Sequence, residues 1–287
     1  MYGKMMLWET YPEDPSNYST IFTHWNNLMG EASLQMWTEY PSMTTVSHPY
    51  ALTKGTNYID ITVDKNNGGP VEEAWVTILK EGEIFESGYT DSEGFVRLPV
   101  TSTQNGEVLV TVTKKNHYPY QGSFQVYDPG VSVGLASTPY LIDDDNSGNS
   151  NGNGDMLANG GEVLEVYVSA KNYGNQDAEN VVGIISTSSN NVTIDSTNGV
   201  GMVEFGNIPA GETVDSDIPF LISLSEGLSD GTDLGLLVTF RDEQNNSFNG
   251  MLDIGVAGNN LHVSEIDILG SANNVLTPGE SSFFKIK

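Results

Sequence analysis

Apolar positions follow two different periods along this chain, and the change between them divides it. Between Ser16 and Gly30, Ile21, Phe22, Trp25, Leu28 and Met29 fall on one face of a helix. Ser16 or Asn17 caps its start and Gly30 stops it. One short amphipathic helix is not stable alone, so it must pack on the next domain or on material upstream. From about Thr44 the period becomes two. "YIDITVD", "AWVTILK", "GFVRLPV", "EVLVTVTK" and "GSFQVYD" read as strands, separated by the turn signals "KNNGGP", "DSEG", "TQNG" and "NHYPY". After "YDPG" a second set follows: "EVLEVYVSAKN", "NVVGIIST", "NVTIDS", "GMVEFGNI", "DSDIPFLISLS", "DLGLLVTFRD" and "NGMLDIGVA". Short strands at this spacing, with no helical pattern between them, predict antiparallel sandwiches of the immunoglobulin-like kind.

The expected fold class is therefore all-β: tandem immunoglobulin-like antiparallel β-sandwiches with a short N-terminal helical segment. Residues 1–43 form a remnant of an upstream domain, 44–128 the first sandwich and 129–260 the second. A further, truncated module starts at 261 and runs to 287. A weak repeat supports that last boundary: "DMLANGGEVLEVYV" at 155–168 is echoed by "NVLTPGESSFFKI" at 274–286. The echo stops in mid-strand, which implies a longer parent chain with modules on both sides.

One stretch fits neither period. "DDDNSGNSNGNGDMLANGGE", residues 143–162, packs short oxygen-bearing side chains and glycines together just before a strand. It is either a slack acidic loop or a cage for a hard cation. With Asn151 as position one, Asn153, Asp155, Leu157, Asn159 and Glu162 occupy positions three, five, seven, nine and twelve. That is the ligand spacing of a calcium loop, with a main-chain carbonyl at seven and a two-oxygen carboxylate at twelve. Asp143, Asp144 and Asp145 add charge just upstream, and adjacent carboxylates repel one another unless a cation sits among them. Met156 stands where such loops usually have glycine, and no helices flank the stretch, so it is not an EF-hand. The nine candidate ligands are Asp143, Asp144, Asp145, Asn151, Asn153, Asp155, Leu157, Asn159 and Glu162, with calcium as the cofactor. Few carboxylates at the spaced positions imply weak binding, on the order of 10⁻⁴ to 10⁻³ M.

Composition narrows the partners. Eleven Lys and Arg against 38 Asp and Glu give a net charge of −27, which repels nucleic acid and anionic lipid. No apolar run reaches the roughly 20 residues that span a bilayer, so no direct membrane insertion is expected. There is no cysteine, which removes disulfides, thiolate metal sites and a thiolate nucleophile from this chain. His24, His48, His117 and His262 have no neighbours at metal spacing and read as structural. Trp75, Tyr118 and Tyr120 are either a sugar-stacking platform or core and corner residues.

Several motifs are also familiar. "HWNNLMGEASLQMWTEYP" followed by "VSHPYAL" resembles the end of the catalytic domain of gingipain-like cysteine peptidases, where an immunoglobulin-like domain follows. "GYTDSEG" and "NHYPYQGS" resemble the turn and corner of that domain, and the likeness covers roughly residues 20–128. The second half resembles the calcium-loop sandwiches of large secreted proteins of Bacteroidetes-type bacteria, with "NGGE" at 159–162 in place of "NPGE" and "TPGE" kept at 277–280. The resemblance implies type IX export and an extracellular or cell-surface location. It implies no catalysis in this chain, since the family's catalytic histidine and cysteine have no counterpart here. The expected function is a non-catalytic, calcium-stabilised spacer region of a gingipain-like peptidase. Its partners would be the upstream catalytic-like domain and further downstream modules of the same chain. The alternative is a structural or adhesive subunit of a surface fibre, self-associating through open sheet edges.

Overall fold

The computed structural model describes residues 37–258 except 102 and 196–200, together with two short strands beyond and a few single positions before Trp37. The helix expected over 16–30 falls almost wholly outside the described residues, as do His24 and His262.

The first sandwich is built from β1 (Thr44–Ser47), β2 (Ala51–Thr53), β3 (Tyr58–Lys65), β4 (Trp75–Lys80), β5 (Ile84–Tyr89), β6 (Phe95–Pro99), β7 (Gly106–Thr113) and β8 (Tyr120–Tyr127). They form two sheets, ordered β1-β3-β6 and β2-β8-β7-β4-β5. The alternation of the sequence is the reason. Ile59, Ile61 and Val63 of β3 turn inward against Val76, Ile78, Val108, Val110, Val112 and Phe124 of the facing sheet, and all are buried. The "DSEG" turn closes through Asp91, whose carboxylate accepts the N–H groups of Glu93 and Phe95, both at 2.9 Å.

Among the strands named here, one pair is parallel. β1 runs antiparallel to β3, but the chain then crosses to the other sheet and β2 runs parallel to β8, Ala51 opposite Gln125. Pro49 lies in the crossing, where its missing N–H interrupts no ladder.

The second sandwich comprises β9 (Val133–Asp143), β10 (Val163–Asn172), β11 (Ala178–Thr187), β12 (Val192–Ile194), β13 (Met202–Ile208), β14 (Thr213–Asp215), β15 (Phe220–Leu224), β16 (Leu236–Arg241) and β17 (Ser247–Met251). One sheet runs β12-β15-β10-β14 with β9 on the other side of β10, and the second runs β13-β11-β16-β17. Leu164, Val166, Val168, Phe220 and Ile222 face Val181, Leu236, Val238, Phe240 and Phe205 across a second core. β9 has no clean period in the sequence, because "ASTP" interrupts it. Its pairing with β10 slips between Val168 and Ala170, and Pro139 lies in the slipped segment, where a missing N–H is tolerated. Beyond residue 258, β18 (Ile266–Leu269) pairs antiparallel with β19 (Phe283–Ile286).

Phe240 is fully buried, with the Phe205 ring edge-on at 5.5 Å. Phe240→Ala is expected to cost about 3–5 kcal/mol, read from urea unfolding. A loss below about 1 kcal/mol would show that the second core is not centred there.

Candidate functional site

The 143–162 stretch leaves the end of β9 and returns to the start of β10 in two curls. The first curl lies on the outward side of β10. There the main-chain N–H and the carboxamide of Asn149 both donate to Oε1 of Glu165, at 2.9 and 3.2 Å. The curls are stapled where Asn146 and Gly152 exchange two hydrogen bonds. The second curl is closed at its base by Asn151 and Val163, whose main chains pair in both directions at 2.8 and 2.9 Å.

Asp144 fills the second curl. Its carboxylate is 1% exposed and accepts the N–H groups of Gly154 at 3.0 Å, Asp155 at 3.3 Å and Met156 at 3.0 Å. A buried carboxylate needs such donors, and three converging amides supply them. Gly152 lies against this carboxylate so closely that a Cβ would stand 2.7 Å from the Asp144 side chain. Glu162 closes the other side, accepting from Asn153 at 3.2 Å and Asn159 at 3.0 Å. The Asn153 carboxamide donates to that of Asn159 at 3.0 Å. Met156 has φ +62°, so the position where calcium loops usually place glycine keeps the left-handed conformation that glycine favours.

Of the nine candidate ligands, Asp144, Asn153, Asp155, Asn159 and Glu162 thus share one hydrogen-bonded group. Asp143 ends β9 opposite Glu165, and the exposed Asp145 caps Ser147. Asn151 spends its main chain on Val163, and Leu157 is half exposed. Sequence reasoning missed Glu165 as an anchor of the first curl. Its signal was an acid inside the apolar run "VLEVYV", at a position with no charge partner nearby in sequence.

Electrostatics in the loop is one-sided. Burial raises the Glu162 carboxyl above the ordinary glutamate range, and the Asp144 and Asp155 charges push it the same way against the lowering effect of its two amide donors. In kind, these donors suit a hard cation: every side-chain ligand is oxygen, and three carboxylates act on one another with no basic side chain among their bonded partners. In arrangement, no three acidic or histidine side chains among the described residues converge on one point, so main-chain and amide oxygens would have to complete any shell. The loop also clasps the chain beyond β17. Ala158 and Val256 form a bridge, and the Asn159 carboxamide donates to the Ala257 carbonyl at 2.8 Å.

The aromatic candidates do not form one platform. Trp75 points outward from its sheet and meets Tyr89 edge-on at 4.4 Å. Tyr118 meets Trp37 at 5.4 Å, whereas Tyr120 packs against the first core and its hydroxyl contacts His48 Nε2 at 3.1 Å.

The class these strands define is all-β, a tandem of immunoglobulin-like sandwiches. No protein-family model matches the chain, and no curated protein does. Among solved structures, one described as the structure of a protease is 20% identical over 38% of this chain and 26% of its own, with a TM-score of 0.29. A C-terminal 282-residue fragment of intimin, in complex with the intimin-binding domain of its translocated receptor, is 12% identical over 79% of this chain and 65% of its own, at 0.24. The tandem Ig repeats of Dlar are 9% identical over 75% and 98%, at 0.32. The chain spans less than two thirds of the protease and intimin chains, and at these scores none of the likenesses bears on chemistry.

Two predictions follow from the loop. Asp144→Ala strands three amides and is expected to cost about 1–3 kcal/mol by urea unfolding; an unchanged midpoint would mean that water replaces the carboxylate freely. Glu162 is raised in the folded state, so its contribution is fully present below its unfolded pKa and is lost as pH rises through the folded one. Without added cation, the urea midpoint of the native protein should fall as pH rises through and above the ordinary glutamate range, more steeply than that of Glu162→Gln. Equal slopes would remove Glu162 from the account.

Proposed function

We propose that this chain is a non-catalytic β-sandwich region of a secreted or cell-surface protein of the gingipain-like kind, serving as a calcium-stabilised spacer. The observation that carries the reading is the loop itself. It holds three mutually repelling carboxylates at the end of the second sandwich and clasps the segment that leaves it. Asp144, Asp155 and Glu162 would supply the charge for the cation, with Asn153 and Asn159 as neutral oxygen donors. The bound ion would neutralise the loop and tighten its hold on residues 256–257. Catalysis is assigned elsewhere in the parent, because a chain without cysteine offers no thiolate nucleophile. The upstream catalytic-like domain and the downstream modules are its covalent partners in this reading. No helix among the described residues is long and apolar enough to cross a membrane.

A second reading, a subunit of a surface fibre, has one observation in its favour. β5 is the outer strand of the five-stranded sheet, and its sequence "IFESGY" carries neither proline nor lysine to discourage strand addition. Sedimentation over a wide concentration range separates the two: growth with concentration favours the fibre, and a constant monomer favours the spacer.

Thermal unfolding in millimolar calcium, in equal magnesium and in chelator tests the cation. Calcium at tenfold excess over its dissociation constant adds about 1.4 kcal/mol and should raise the melting temperature by several degrees. Magnesium should not, and Asp155→Ala with Glu162→Ala should abolish the shift. Superimposable curves in all three conditions would refute the calcium reading.

A further inference from the structure

The two sandwiches are joined by residues 128–132, "DPGVS", a composition that usually marks a flexible linker. Here it is tied on both sides. Asp128 pairs with Lys54 of the first sandwich at 3.3 Å and accepts the Gly130 N–H at 2.9 Å. The Gly130 carbonyl accepts the N–H groups of Asn175 and Gln176, and the Ser132 carbonyl accepts that of Tyr173 at 2.7 Å.

A turn of the first sandwich then enters the second. Ser132 donates its hydroxyl to the Lys54 carbonyl. Gly55, at φ +82°, lies on the Tyr173 ring, where a Cβ would stand 2.3 Å from the nearest ring carbon. The Tyr173 hydroxyl is held in turn by the Leu135 carbonyl at 2.7 Å. Gly134 faces the Gly55 main chain, and a Cβ there would stand 2.4 Å from the Gly55 oxygen.

Asn57 completes the contact. Its carboxamide donates to the Met251 carbonyl and accepts the Met251 N–H, both at 2.7 Å. β17 is the outer strand of its sheet, so the amide occupies main-chain groups that would otherwise be open. Asn57 is itself fixed to the first sandwich, because its carbonyl accepts the Val100 N–H at 2.9 Å.

We infer that the turn Lys54–Asn57 is a latch that makes the two sandwiches one rigid body, with no hinge at residues 128–132. Two glycines at the contact allow main chain to meet main chain. A planar side-chain amide then satisfies both groups of one peptide edge, which fixes direction as well as distance. This inference is independent of the calcium reading, since the latch lies at the opposite end of β9 and β10 from the loop.

The absence of native cysteine permits a clean test. Spin labels on Glu86→Cys and Glu204→Cys, both exposed and on different sandwiches, report the distance distribution between them. With the latch intact, one narrow distribution is expected. Gly134→Ala, whose added methyl would have main-chain atoms of Gly55 as its three nearest neighbours across the joint, should broaden it while far-UV circular dichroism stays unchanged. Asn57→Ala should broaden it as well and serves as the second variant if Gly134→Ala does not fold. A distribution already broad in the parent would overturn the latch. So would variants as narrow as the parent.

Discussion

Of the 19 residues between Asp143 and Val163 only Met156, Leu157 and Ala158 are apolar, and of these only Ala158 enters the core. Their form depends on where their main-chain N–H groups go, because buried amides without partners are costly. Asp144 answers that demand. One carboxylate, carried inward on the residue that follows β9, gathers three amides and so defines the second curl. Burial is the main cause of the raised Glu162 carboxyl, and the negative charges of Asp144 and Asp155 push it the same way.

The strands were legible because a sandwich core imposes the simplest of patterns. β3 and β7 bury every second residue, and β10 does so apart from Glu165, which is buried as well. β9 was not legible for the opposite reason. Its proline and small polar residues belong to a slip in register, which is decided by the neighbouring strand and leaves no local trace. The parallel pairing of β2 was hidden in the same way, since three residues carry no period and their direction is set by the crossing at Pro49.

For the loop, the sequence indicated the kind of atoms but not their arrangement. Spacing singled out Asn151, Asn153, Asp155, Leu157, Asn159 and Glu162; hydrogen bonds join Asn153, Asp155, Asn159 and Glu162, while the Asn151 main chain pairs with Val163 and Leu157 is half exposed. It ranked Asp144 among three equivalent acids, although burial separates it sharply from the exposed Asp145. Which of three adjacent carboxylates turns inward depends on the phase of the pleat at the end of β9, and that phase was obscured by the slip upstream. Glu165 escaped notice because it sits on the outward face of β10 and is buried only by the loop that folds over it.

β9 and β10 lie side by side between two fixed points. At one end Ser132, Gly134 and Tyr173 meet the turn of the first sandwich; at the other, Asp143 and Val163 carry the loop that clasps residues 256–257. The contacts that tie this strand pair to the rest of the molecule lie at its ends: an amide, two glycines and a tyrosine at one, and a carboxylate in a nest of amides at the other.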